Sequence, residues 1–253
     1  MKNEERFSSK ADVYSKYRPS YPDAFINYLY GEVCFKSESI IADIGSGTGK
    51  LTEQLLKQGS FVYGVEPNDD IRNAADKLLS SYIKYKSIAS AAEDTGLSSE
   101  SIDFITVAQA FHWFDPVRFK TECQRILKKN GKVVLVRNER NMKSKMVCEN
   151  LEINNKYSVY VMQNTKNPYA GKSIQEADCY KTGAYEYKEF ENIIEMNDEV
   201  FIGWNLSNSN APNENDASGA LYISELKKLF HKYQCEGYVS MPFITQCYVG
   251  DVN

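Results

Sequence analysis

Metal-binding patterns are missing from this sequence. Its six cysteines, at positions 34, 123, 148, 179, 235 and 247, never form C-x-x-C, and its two histidines stand far apart. That spacing speaks against a zinc site, and no metal is expected. The opening Met1-Lys2-Asn3-Glu4-Glu5-Arg6 has no apolar core of the kind a signal peptide carries. Together with the scattered thiols, this makes a reducing cytoplasm the expected location, with most of the cysteines buried as small hydrophobes. Charge of one sign is scarce too. There are 30 Lys and Arg against 34 Asp and Glu, a net charge of −4, and no block of five like charges. Lys128-Lys129 is among the densest basic spots. Neutralising phosphates takes a basic face, so nucleic acid is excluded as an expected partner. No apolar run reaches 18 residues, so no transmembrane helix and no membrane partner are expected.

With 253 residues and 42% apolar content, the chain can bury the core of one large α/β domain or two small ones. Its organising stretch is Ile40-Ile41-Ala42-Asp43-Ile44-Gly45-Ser46-Gly47-Thr48-Gly49-Lys50. The apolar run reads as a buried parallel strand. The alternating glycines read as a strand-to-helix turn where a ligand approaches the backbone closely. Leu51 to Lys57 then has helical apolar spacing and stops near Gly59. The dinucleotide fingerprint G-x-G-x-x-G is not met, because the third glycine arrives one residue early, at Gly49, and Lys50 takes the reserved place. The phosphate-cradling G-x-x-x-x-G-K-[ST] is absent as well. An acid just ahead of the glycines repels a pyrophosphate, and Asp43 suits a ligand carrying an amine or a sulfonium. A second apolar run, Phe61 to Val65, ends in Glu66, 23 residues after Asp43. An acid at about that distance is the expected acceptor for ribose hydroxyls.

The acid-x-G-x-G-x-G pattern, through Asp43, Gly45, Ser46, Gly47 and Gly49, resembles motif I of class I S-adenosylmethionine-dependent methyltransferases. The resemblance implies that the glycine backbone packs against the methionine part of the cofactor and that Glu66, followed by Pro67, meets its ribose. Gln109-Ala110-Phe111-His112-Trp113-Phe114-Asp115 closely resembles the motif after strand four in the methyltransferase type 11 branch. Loops at the carboxyl ends of parallel strands carry the chemistry in such sheets. Gln109 is therefore expected at the cofactor, and His112 and Trp113 at the acceptor, with His112 as the candidate for proton transfer. Trp113 and Phe114 are equally open to packing beneath the next helix. The Tyr14-x-x-Tyr17-Arg18-Pro19-x-Tyr21-Pro22 cluster is similar to a pre-sheet segment that folds over the cofactor as a lid. By that likeness Tyr14 faces the acceptor, and Tyr17 and Arg18 face the cofactor, with the Arg18 guanidinium reaching the cofactor's carboxylate. The other reading of Arg18 is a surface cation beside an aromatic staple. Ala91-Ala92-Glu93 stands where the family often has an Asp-Ala-Glu-like run at the adenine edge. Ala91 replaces the usual acid, which leaves the Ala92 backbone and Glu93 for that contact. Ile71 is a candidate to pack on the adenine, though ordinary core is its plainer reading.

Along the chain, helices are expected at 7–18 and from Pro22 or Asp23 to Leu29, and again from Asp70 to Leu79, capped by Asn68 or Asp69. Strands three, four and five are expected at Ile83–Ile88, Ser101–Ala108 and Lys132–Arg137, with a helix from Asp115 or Pro116 to Lys129 closed by Asn130-Gly131. Beyond 138 the alternation fades, apart from a helix near 146–159, a strand at 185–190 and a polar loop at 207–218. A final amphipathic helix from Ala220 and a strand from Tyr238 to Val249 close the chain. The expected fold is α/β: a doubly wound, Rossmann-like, mostly parallel seven-stranded sheet with an antiparallel C-terminal strand at its edge and an inserted cap. One methyltransferase domain would span 1–253, with lid helices in 1–38, the cofactor-binding core in 39–137, the cap in 138–220, and the closing helix and strand in 221–253. By the resemblance, the cap helps to select the acceptor.

The implied cofactor is S-adenosylmethionine, with S-adenosylhomocysteine as product. The implied reaction is in-line transfer to the oxygen or nitrogen of a small-molecule acceptor, with no covalent intermediate. Two alternatives stay open. One is a non-catalytic module that binds the same cofactor. The other is a nicotinamide-dependent oxidoreductase, which the glycine spacing disfavours.

Overall fold

The computed structural model describes residues 19–158, 179–180, 185–208 and 210–252. The predicted first helix at 7–18 lies outside them. The chain divides into two compact units. A sheet unit comprises residues 20–138 with the described residues of 171–190 and 245–252, and a helical unit comprises 139–158 with the described residues of 191–244.

Seven strands form one sheet in the order β3-β2-β1-β4-β5-β7-β6. They are β1 (Ile40–Ile44), β2 (Phe61–Val65), β3 (Tyr85–Ile88), β4 (Ile102–Ala108), β5 (Leu127–Arg140), β6 (Tyr185–Met196) and β7 (Val239–Gly250). β1 pairs in parallel with both β2 and β4, β2 with β3, and β4 with β5. The direction of winding therefore reverses between β1 and β4, which opens a crevice at their carboxyl ends. The last two strands are antiparallel. Arg137 bonds Gln246, Asn138 bonds Thr245, and Asn141 bonds Pro242, so partner numbers fall as strand numbers rise. Glu189 with Gln246 and Glu195 with Ser240 set the same sense between β6 and β7. The C-terminal strand thus lies one place in from the edge, between β5 and β6, rather than at the edge itself.

In the sheet unit the central strands β1, β2 and β4 are covered on both faces, which is why they read as largely apolar runs, whereas β3 at the edge carries the exposed Lys86 and Ser87. Ala42, Ile44, Ile105 and Val133 face α4 (Pro116–Ile126) through Phe119 and Cys123. Ile41, Val62 and Val134 face the other way. They meet Phe25 and Leu29 of α1 (Asp23–Gly31), Leu51 and Leu55 of α2 (Lys50–Lys57), and Ala75 and Leu79 of α3 (Asp69–Leu79). Gly59 follows α2 at φ +92° and ends it. Asn68 caps α3 by accepting from the Ile71 amide at 3.0 Å. Several boundaries differ from expectation: β3 starts at Tyr85 rather than Ile83, β5 runs from Leu127 to Arg140, β6 extends to Met196, and the last helix starts at Ala217. α4 stops at Ile126, not Lys129, because Leu127 already pairs with Ile102. The pairing then jumps to Phe104 with Lys132, so residues 128–131 bulge, with Asn130 at φ +71°.

The helical unit packs α5 (Lys145–Lys156), α6 (Asp198–Leu206) and α7 (Ala217–Tyr233) around Val147, Phe201, Trp204, Tyr222, Leu226 and Met241. α6 had not been expected, although Asn197 accepts from the Val200 amide at 2.9 Å in an ordinary N-cap. Among the described residues, no helix is long and apolar enough to cross a membrane. Of the six thiols, Cys123, Cys179 and Cys247 are buried, Cys148 is half-buried, and Cys34 and Cys235 are exposed.

Candidate functional site

The turn after β1 is bound to the tip of β2. Gly45 and Ser46 both donate their amides to the Val65 carbonyl, at 2.8 and 3.1 Å. The Gly47 amide donates to Glu66 Oε2 at 3.1 Å. Gly49 closes the turn by donating to the Ser46 carbonyl at 3.0 Å. Two glycines are required for different reasons. A Cβ on Gly45 would stand 2.5 Å from the Ala110 Cβ, so the turn and the loop after β4 touch there. A Cβ on Gly47 would meet nothing within 4 Å, yet its φ is +58°, a left-handed value. Gly47 therefore offers bare backbone to open space.

Asp43 lies beneath this turn and is fully enclosed, with 0% exposure. Its Oδ2 accepts from the Thr52 hydroxyl at 2.6 Å and its Oδ1 from the Thr106 hydroxyl at 2.8 Å. Burial pushes its carboxyl from 3.8 up to about 6, against the lowering effect of the two hydroxyls and the Thr52 amide. None of these partners is a cation, so the ionised form leaves a negative centre behind the glycines. Sequence reading missed the two threonines. The available signal was Thr106, a polar residue between the apolar Ile105 and Val107 of β4.

Glu66 is nearly buried. Besides Gly47, it accepts from the Asn68 amide through Oε1 at 3.0 Å, and its own carbonyl accepts from Arg72 Nη1 at 2.9 Å. The carboxylate thus joins the glycine turn to the start of α3, with Pro67 between. Ile71 is buried in the same region.

The loop after β4 starts at Gln109, whose φ of +59° is unusual for a non-glycine residue. Its amide donates to the Val136 carbonyl at 2.9 Å, and its side chain Nε2 to the Asn138 carbonyl at 3.2 Å. One turn of 3₁₀ helix, Phe111–Trp113, follows. Phe111 and Phe114 turn inward and pack with Phe119, at centroid distances of 5.9 and 5.1 Å. His112 is exposed and Trp113 half-buried, their rings 4.8 Å apart. Asp115 then caps α4 through the amides of Val117 and Arg118.

Ala92 is buried. Glu93 accepts from the Asp115 amide at 2.7 Å, which ties the loop after β3 to the loop after β4. A second tie is Glu122 on α4, which accepts from the Thr95 amide and hydroxyl at 2.8 and 2.5 Å and from Arg125 at 2.7 Å. Burial acts to raise the Glu122 carboxyl, but the Arg125 and Thr95 bonds outweigh it and hold it below the usual range.

Gly45 to Gly49, Glu66, Pro67, Ala92, Glu93, Gln109, His112 and Trp113 thus lie on loops at the carboxyl ends of β1, β2, β3 and β4, with Asp43 beneath. Tyr14, Tyr17 and Arg18 lie outside the described residues.

Comparison with known proteins gives a consistent result. The family model described as a methyltransferase domain, Methyltransf_11, matches residues 42–135. An uncharacterized methyltransferase of Mycobacterium tuberculosis is 35% identical over 147 residues, 58% of this chain and 58% of that protein. A putative methyltransferase of Dictyostelium discoideum is 35% identical over 134 residues, 53% of this chain and 49% of that protein. The chain thus spans about half the length of these curated relatives. The solved structure of a putative type II methyltransferase from Anaeromyxobacter dehalogenans superposes with a TM-score of 0.68 at 21% identity, covering 93% of this chain and 98% of that one. At that identity the likeness speaks for the fold.

Proposed function

We propose that this chain, whose residues 42–135 match the methyltransferase-domain model, is a class I S-adenosylmethionine-dependent methyltransferase of the type 11 branch that methylates an oxygen or nitrogen of a small molecule. The observation that carries the reading is the bond from the Gly47 amide to Glu66. It places an acid at the tip of β2 against bare glycine backbone at the reversal of the sheet.

The residues present fit the cofactor. Gly47 leaves room beside its main chain. Asp43 supplies a buried negative centre that disfavours a pyrophosphate and favours a cationic ligand. When bound, S-adenosylmethionine supplies a methyl group already activated on a sulfonium. The chain's own work is then to bind, align and exclude water. Gly45 to Gly49 hold the methionine part, Glu66 accepts from the ribose, and Ala92 and Gln109 flank the remainder. Asp43 acts from behind, by fixing the turn through Thr52. Glu93 acts by bracing the loop after β4. His112, exposed beside Trp113, takes the acceptor's proton where one must leave. The near-neutral charge balance supports a small acceptor over a polyanion.

Calorimetry with S-adenosylhomocysteine tests this. Gly47→Val places a β-branched residue at a left-handed φ and fills the open space, while Glu66→Ala removes a charged acceptor. Each is expected to weaken binding about tenfold or more. Thermal melting of the unliganded variants separates lost contact from lost fold. Unchanged affinity in both would overturn the assignment.

A further inference from the structure

We propose that Asn138, at the end of the parallel portion of β5, is a positioning residue that sets the loop carrying His112 and Trp113. The inference rests on the methyltransferase reading above for its consequence and on a connected set of hydrogen bonds for its geometry. The Asn138 side chain is anchored at both ends. Its Oδ1 accepts from the Thr245 hydroxyl at 2.5 Å, and its Nδ2 donates to the Ser20 carbonyl at 3.4 Å. Thr245 is fully buried on the antiparallel strand β7, so one anchor is part of the sheet itself. Ser20 is anchored in turn, because its hydroxyl donates to Gln54 Oε1 at 3.0 Å. Gln54 also accepts from the Tyr21 amide at 3.2 Å and donates to the Tyr21 carbonyl at 2.8 Å. Gln54 sits on α2, the helix that leaves the glycine turn.

Held this way, Asn138 presents its own carbonyl to Gln109 Nε2 at 3.2 Å. Gln109 is the residue with φ +59° at which the chain leaves β4. A non-glycine residue keeps such a conformation only where its surroundings specify it. The hydrogen bond from the Gln109 N–H to the Val136 carbonyl and that from its side chain to the Asn138 carbonyl are the specification. His112 and Trp113 follow three and four residues later, so the direction in which they leave the strand depends on this hinge. Asn138 reaches the site through its main chain and by way of Gln109, which makes it a positioning residue rather than a catalytic one.

The chain has two tryptophans, and Trp204 is only 2% exposed, so acrylamide quenching of intrinsic fluorescence reports mainly on Trp113. Asn138→Ala and Gln109→Ala should each increase quenching and weaken S-adenosylhomocysteine binding about fivefold, the loss of one net hydrogen bond. The double variant should be no worse than either single one, because both break the same linkage. Thr245→Val leaves Asn138 in place and removes one anchor. It should reproduce the increased quenching, which keeps the test informative should Asn138→Ala melt early. Wild-type quenching and affinity in folded Asn138→Ala, or additive effects in the double variant, would overturn the proposal. Failure of the wild-type protein to bind S-adenosylhomocysteine would instead overturn the methyltransferase reading, with the quenching differences left standing.

Discussion

Among single residues, Asp43 separates most clearly what sequence can and cannot tell. Its position before the glycines marks it as important. Nothing local reveals that Thr106, 63 positions away, and Thr52 hold it under the turn rather than beside a ligand. Its burial has a measurable consequence. The folded carboxyl titrates near 6 and the unfolded one near 3.8, so between these values the native state binds the extra proton. For this group, stability is therefore highest below about pH 4 and is lost as pH rises through 6, by on the order of 3 kcal/mol. Asn at this position has nothing to titrate. Melting profiles of wild type and Asp43→Asn should diverge over that window, the wild type losing ground as pH rises. Parallel profiles, or divergence of the opposite sign, would mean that the carboxylate is not desolvated as described. Gly45 poses a simpler case. Its side chain must be absent because Ala110 stands where a Cβ would go, a contact invisible from the glycine pattern alone.

At the level of elements, boundaries set by local chemistry were legible and those set by partners were not. Gly59 and the Asn68 cap delimit α2 and α3 as read. The end of α4 was misplaced because Leu127 is drawn into pairing with Ile102, a tertiary preference that outweighs the helical pattern of Lys128-Lys129. α6 went unread although Asn197, Asp198 and Glu199 form a recognisable start. Its remaining signal was masked because Phe201, Gly203 and Trp204 carry no clean helical stripe. The bonding inside the helical unit explains which change would hurt most. Glu149 accepts from Lys232 and Tyr233, and Glu225 accepts from Lys156 and Tyr157, so α5 and α7 run antiparallel with matched ties at both ends. The lysine ties are exposed, and Glu149→Gln, which keeps an acceptor for Tyr233, should leave the melting temperature nearly unchanged. Between them lies a buried amide set. Asn150 donates to Asn205 at 3.0 Å, and Asn205 donates to the Phe201 carbonyl at 2.9 Å. Asn205→Ala strands the buried side-chain amide of Asn150 and is expected to cost about 1–3 kcal/mol, seen as a clear drop in melting temperature. A loss no larger than that of Glu149→Gln would contradict the buried network.

For the molecule as a whole, the rhythm of strands and helices through residue 137 was enough to foresee a doubly wound sheet, because the connections are short and β1, β2 and β4 are mostly apolar. Beyond it the rhythm was unreadable, since α5 and α7 find each other across more than 60 residues and polar amides occupy their shared interior. Ligand linkage offers a test at this scale. A molecule that binds only the native state adds RT ln(1 + [L]/Kd), about 2.7 kcal/mol at a hundredfold excess over Kd. S-adenosylhomocysteine at that excess should therefore slow hydrogen exchange where the turn is built. The gains should concentrate in residues 40–68 and 105–115, whose amides bond across β1, β2 and β4. The Gly47 amide should be among the most affected, because its present partner, Glu66, is the proposed sugar acceptor. Amides of α5 and α7, held by their own network, should change less. Protection gained in α5 and α7 with none in 40–68 would place the ligand away from the glycine turn. The argument from Asp43, Gly47 and Glu66 would then fall together, because all three depend on the one crevice where the sheet reverses.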